Sequence, residues 1–184
     1  MTQETNLRQE SYNKFELYPD IAYNCVSLLI EKEDMLWKLL KYPTPDAWSK
    51  PNLTKQEKGA LIYDGSPNET DFRVFLDTAQ DNAWTIQACI LRISPLTLIP
   101  VNYIYGNLSL GFEIYSHYSI NHLSNYKTRL DVVAQRIIET MNGSEVKGLG
   151  RLYFDAKASS SAKSFVIGSI PYKGRIVVMC NWIV

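Results

Sequence analysis

The chain predicts an α+β domain, a mixed, mainly antiparallel β-sheet flanked by N-terminal helices and one long amphipathic helix, and three features carry that expectation. Apolar residues recur at helical spacing over residues 20–42 and again over residues 128–141. Residues 108–120 alternate apolar and polar at the period of a strand. The order of elements runs helices, strands, helix, strands, with no repeat at a solenoid period.

In the first helical stretch Ile21, Cys25, Leu28, Leu29, Met35, Leu36, Leu39 and Leu40 share a face, interrupted by Glu31, Lys32, Glu33 and Asp34. Such a charged run reads as a solvated face or a kink, so one bent helix or two short ones are expected. Pro43, Pro45 and Pro51 stop the pattern. Thr54 and Glu57 have the spacing of a capping box and open a short helix reaching Ile62. The sequence Asp64-Gly65-Ser66-Pro67 then breaks the chain.

Residues 72–76 and 84–93 are rich in β-branched and aromatic side chains and read as strands. Over residues 108–120 the residues Leu108, Leu110, Phe112, Ile114, Tyr118 and Ile120 form the expected core face. Ser109, Glu113, Tyr115 and His117 form the opposite face, open to water or a partner. Thr128 and Asp131 repeat the capping pattern before a stripe of Leu130, Val133, Ala134, Ile137, Ile138 and Met141, which closes at Asn142-Gly143. Residues 151–155, 164–170 and 175–183 complete the strands, and the last is apolar on both faces, as a central or covered strand would be.

At 184 residues, with 46% hydrophobic and 12% aromatic content, residues 1–184 are expected to form a single domain that buries a core. Lys plus Arg and Asp plus Glu balance at 19 each, which removes the excess charge of a dedicated DNA-binding module and favours association. No apolar leader or stretch of membrane-spanning length is visible, so no membrane partner is expected. Cys25, Cys89 and Cys180 stand far apart among apolar neighbours and read as inert buried thiols. Residues 1–18 read as an extended N-terminal arm and residues 156–164 as a protruding hairpin loop; both are too polar to build a core of their own.

Candidate chemistry is sparse. Gly148-Leu149-Gly150 precedes a strand instead of following one, so it lacks the context of a dinucleotide loop. His117 and His122 lack a third ligand at metal spacing. No GxSxG turn marks an activated serine. The expectation is therefore no enzyme, no cofactor and no metal. Lys157, Ser160 and Lys163 in the serine-rich loop, with Tyr115 and His117, are the candidate subunit or DNA contacts.

The order of elements, together with Leu28-Leu29, the segment Leu36-Trp37-Lys38-Leu39-Leu40-Lys41-Tyr42, the helix start at Leu53-Thr54, the strands ending near His117, the helix from Arg129-Leu130-Asp131 to Met141-Asn142-Gly143, and Gly148-Leu149-Gly150-Arg151-Leu152-Tyr153-Phe154, resembles neck and tail-completion proteins of tailed bacteriophages, tail terminators in particular. That resemblance implies a virion protein made in the host cytoplasm. Its subunits would form a homo-oligomeric ring, commonly a hexamer, that terminates or completes the tail and joins it to the head connector. The implied partners are further copies of the chain, the adjoining neck or connector and tail-tube proteins, and DNA passing without sequence specificity. A head-closure or connector (head-tail adaptor) protein is the alternative, and a small accessory enzyme a remoter one.

Overall fold

A computed structural model describes residues 20–76, 86–100, 106–146 and 150–154, and by backbone alone residues 165–167, 170–172 and 176–182; within the first group, residues 97, 98, 100, 106 and 107 are also described by backbone alone. The arm of residues 1–18 and the loop of residues 156–164 lie outside these residues.

The N-terminal helical stretch is two helices, α1 (Ile21–Lys32) and α2 (Met35–Lys41). The charged run makes the break. Glu33 is extended, and its carboxylate accepts the N–H groups of Met35 at 2.9 Å and Leu36 at 3.3 Å, so it caps α2 from outside. The carbonyls left over at the end of α1 are met from a distance. The buried Lys58 donates from Nζ to the carbonyls of Ile30 and Glu33 and to the Asp34 carboxylate, at 2.9, 2.7 and 2.7 Å. Trp37 Nε1 donates to Leu29 O at 3.0 Å. A cation at that point also opposes the negative end of the helix dipole.

Lys58 reaches this position from α3 (Lys55–Gly59), which opens on the predicted capping box. Thr54 Oγ1 accepts from Glu57 N at 3.2 Å while Glu57 Oε2 accepts from Thr54 N at 2.9 Å. The helix is shorter than expected, ending at Gly59 rather than Ile62, because Ile62 already bridges Val74 at the edge of the sheet.

Six strands form one sheet: β1 (Val74–Phe75), β2 (Cys89–Pro100), β3 (Gly106–Ser116), β4 (Glu145–Val146), β5 (Gly150–Phe154) and β8 (Ile176–Trp182), in the order β1-β2-β3-β8-β5-β4. Among the described strand pairs of the sheet only β1–β2 is parallel, so the sheet is mixed and mainly antiparallel. The strand that is apolar on both faces, β8, lies between β3 and β5. A separate pair, β6 (Phe165–Ile167) and β7 (Ile170–Tyr172), replaces the single strand expected over residues 164–170.

One face of the sheet carries Leu91, Ile93, Leu108, Leu110, Phe112, Ile114 and Leu152, all almost wholly buried beneath the helices. The amphipathic helix α4 (Arg129–Met141) sets Val133, Ile137 and Met141 into this layer, with Ile138 half-buried beside them. Thr128 caps it, accepting from Asp131 N at 3.2 Å, and Gly143 takes the positive φ of 78° that ends it.

The opposite face departs from expectation. Tyr115 is buried with Phe75, Ala88 and Ile90 in a second apolar cluster that Tyr63, Phe72 and Ile86 complete. Tyr63 meets Phe72 edge-on and Phe75 at a tilt, each at 5.3 Å between centroids. Alternation separates two sets of residues but does not fix how far the second set is exposed: here Tyr115 is buried by neighbours from β1, β2 and the segments that lead into them.

Candidate functional site

The strand that carries Tyr115 ends one residue before His117. Strand β3 stops at Ser116, and His117 N–H donates to Ala88 O at 3.1 Å. The ring of His117 then folds back, its Nδ1 accepting from Ser119 N–H at 3.1 Å and lying 2.7 Å from Ser119 Oγ. Because Nδ1 accepts the Ser119 N–H, the neutral form of this imidazole carries its proton on Nε2. This contact starts the 3-10 turn Tyr118–Ile120, where a continuing strand was expected. Tyr118 is therefore turned out to solvent and does not join the core face, while Ile120 remains buried.

From here to residue 128 the chain forms a tip built by short-range bonds. Leu123 N–H donates to Lys127 O at 3.0 Å and Tyr126 N–H to Leu123 O at 3.2 Å, while His122 and Thr128 form an antiparallel bridge. The buried Leu123 anchors it to the main core. Two contacts pin it to the proline-rich segment after α2: Ser124 N–H donates to Pro45 O at 2.9 Å, and Trp48 Nε1 to Ser124 Oγ at 2.9 Å. Tyr126 is held with φ at +64°, a left-handed conformation that costs a non-glycine residue energy, and its side chain is fully exposed. Trp48, Tyr118 and Tyr126 thus stand as exposed aromatics in one tied unit.

Beneath the tip lies Arg129, the first residue of α4, with no exposed surface. Its Nε donates to Ile120 O at 2.9 Å, Nη1 to Leu39 O at 2.5 Å and Tyr42 O at 2.7 Å, and Nη2 to Thr44 O at 2.8 Å. All four acceptors are main-chain carbonyls. Leu39 and Tyr42 belong to the end of α2, whose last carbonyls have no partner within the helix, so one guanidinium caps α2 and fixes the tip to it. Burial lowers the pKa of the group. Asn121 completes the joint: its main-chain carbonyl accepts from Arg129 N at 2.6 Å and its Oδ1 from Leu130 N at 3.2 Å.

Of the predicted contacts, Lys157, Ser160 and Lys163 fall outside the described residues. Tyr115 is buried, and its phenol donates to Glu113 Oε2 at 2.5 Å; the same carboxylate pairs with Arg92 at 3.3 Å. Burial first, then the bond to Glu113, pushes Tyr115 up to about 12, so it is a neutral phenol rather than a base at physiological pH. His117 is partly exposed and acts as the cap that starts the tip. Sequence reasoning did not single out Trp48 or Tyr126, and noted Arg129 only as the start of a helix. A turn-forming Ser124-Asn125 before an aromatic was the only local signal for Tyr126.

Cys25 and Cys89 are buried thiols as expected, and burial pushes Cys89 up to about 12, well away from a nucleophilic thiolate. The side chain of Cys180 lies outside the described residues. Among the described residues no three His, Cys, Asp or Glu side chains converge on a metal position, and no helix is long and apolar enough to cross a membrane.

No curated protein and no solved structure matches the chain. Residues 33–174, which include every helix from α2 onward and every strand through β7, match the family described as YomW, a phage-derived name from an SPbeta-like prophage region of Bacillus. With well over half of its length matched, the chain belongs to the YomW family.

Proposed function

We propose that this chain is a structural subunit of a tailed-phage neck, forming a homo-oligomeric ring that terminates or completes the tail, joins it to the head connector and leaves a channel for DNA. Membership of a phage-derived family supports the setting. The observation that carries the ring is the distribution of exposed large apolar side chains. Leu96 and Ile99 lie on β2, toward one edge of the sheet, and Tyr153 lies on β5, toward the other. Two strands separate β2 from β5, so these residues are about 14 Å apart across the sheet. Trp48, Tyr118 and Tyr126 add a third patch at the tip. A ring of identical subunits joins two different patches of each copy, which requires separated sticky surfaces on one chain. The net charge of zero suits a wall around DNA that does not grip it.

Native mass spectrometry and electron microscopy of the full chain, free and in particles, test the reading. Closed rings of one stoichiometry, either in solution or in the particle, are the expected result. A chain that is monomeric in both, or absent from particles, refutes it. The same reading expects the polar N-terminal segment to contribute to the interface: deleting residues 2–14 is expected to leave the melting temperature nearly unchanged and to weaken assembly. Replacing Lys157 and Lys163 by Ser is expected to weaken assembly less, and mainly at low salt.

A further inference from the structure

We infer that the aromatic tip of one copy docks on the acidic segment of residues 64–71 of a second copy; this rests on the ring reading and names the two surfaces that meet. Three properties of the tip make it a binding element. It is tied down by Ser124, Trp48 and the Arg129 joint, so little freedom remains to be lost on association. It presents Tyr and Trp, the residue types that dominate interface energies. It also holds Tyr126 at a positive φ, directly after an asparagine that would tolerate that conformation better. Folding alone gives no reason for a fully exposed tyrosine at the strained position.

Charge selects the partner. Residues 117–128 contain Lys127 and two histidines and no carboxylate. Residues 64–71 contain Asp64, Glu69 and Asp71 and no Lys or Arg. Among the described residues, none of the ion pairs uses Lys127, Asp64, Glu69 or Asp71. The nearest cation to the acidic segment in sequence, Arg73, directs Nη1 to the carbonyls of Thr70 and Phe72, both at 2.7 Å, and acts on Asp71 through space without an ion-pair contact.

The acidic segment is as firmly built as the tip. Ser66 N–H donates to Asp64 Oδ1 at 2.9 Å, Asn68 Nδ2 to Asp71 Oδ2 at 2.9 Å and Thr70 Oγ1 to Asn68 Oδ1 at 2.7 Å. Like-for-like contact between two tips or two acidic segments is disfavoured by charge, whereas tip against acidic segment is favoured.

Placement agrees with a head-to-tail contact. Both segments sit at the end of the sheet where β2 begins and β3 ends, since His117 N–H bonds Ala88 O and Leu91 N–H bonds Arg73 O. They belong to opposite faces. The tip is anchored by Ile120 and Leu123 in the core under the helices, and the acidic segment leads into the Tyr63, Phe72 and Phe75 cluster on the other side. Joining one face of a copy to the other face of the next is a heterologous contact, the kind that builds a ring.

The test uses the full chain and four variants: Tyr126→Gly, Lys127→Glu, Asp71→Lys, and the last two combined. Sedimentation and native mass spectrometry give the assembly constant, and thermal unfolding gives the fold. Tyr126→Gly is expected to weaken assembly by about thirtyfold or more while the melting temperature holds or rises, because glycine accepts the positive φ. A residue that merely supported the loop would not separate the two readouts in this way. Each charge reversal is expected to weaken assembly about fivefold, and the combined exchange to recover most of that loss. Rings that form as in the parent in all four variants overturn this contact and leave the ring reading standing. A combined variant no better than its two parents overturns the pairing with residues 64–71. A wild-type chain that is monomeric both free and in particles overturns the ring reading, and this contact with it.

Discussion

Replacing Arg129 by Met keeps most of the aliphatic stem and removes every donor of the guanidinium. Four carbonyls lose a partner. Those of Ile120 and Leu39 face the guanidinium in buried surroundings, while those of Tyr42 and Thr44 are partly buried and can turn to water. Stranding a buried carbonyl costs about 1–3 kcal/mol, so the two buried ones together cost about 2–6 kcal/mol. Relief from holding a charge away from water offsets part of this. The net expectation is about 3–4 kcal/mol of lost stability. With a urea m-value of about 2 kcal/mol/M for a domain of this size, the unfolding midpoint falls by about 1.5–2 M at unchanged m. Arg129→Lys should lie between the two, because one ammonium cannot reach acceptors on both sides of the joint. Hydrogen exchange should also show residues 117–128 opening before the sheet does. A Met variant within about 1 kcal/mol of the parent would refute the clamp.

Other outcomes follow from the same structure. Ile137→Ala opens a cavity under α4 and should cost about 2–4 kcal/mol in chemical denaturation. Glu57 is held at about 2, below its ordinary 4.5, first by the Thr54 N–H, then by Lys41 and by the Thr54 hydroxyl. Its contribution is therefore present above pH 4.5 and is lost as pH falls toward 2, and Glu57→Gln should flatten the stability profile across that window. Cys89 should resist iodoacetamide at pH 8 in the folded chain and react once urea unfolds it, a contrast readable by mass spectrometry.

Local chemistry was legible and long-range chemistry was not. The box at Thr54 was read correctly, and at Thr128 the cap formed without the return bond of a full box; both are legible because capping joins residues three apart. The break at Glu33 and Asp34 and the central place of β8 followed from a charged run and from an uninterrupted apolar strand. Arg129 gave no such signal: its partners Leu39, Tyr42 and Thr44 lie 85 to 90 residues away and present only main chain. A buried arginine inside an amphipathic helix start looks, in sequence, like an ordinary solvated one. Tyr115 was assigned to an open face because the residues that cover it, Phe75 and its neighbours, come from another strand. His117 was singled out for exposure and turned out to start the tip, whereas Tyr126, the most exposed aromatic there, depended on a backbone angle that no residue type announces.

The carbonyl acceptors of Arg129 have a consequence for how this family can drift. A clamp that reads side chains would tie four other positions to its own identity, and each would have to change in step with it. Every residue has a carbonyl, so positions 39, 42, 44 and 120 are released from any chemical demand by the clamp, subject only to packing. Position 129 alone keeps a strict requirement, for a side chain with several donors in a fork. Substitution can therefore rewrite most of the side chains around the joint and leave its geometry intact, provided that position 129 keeps its fork of donors.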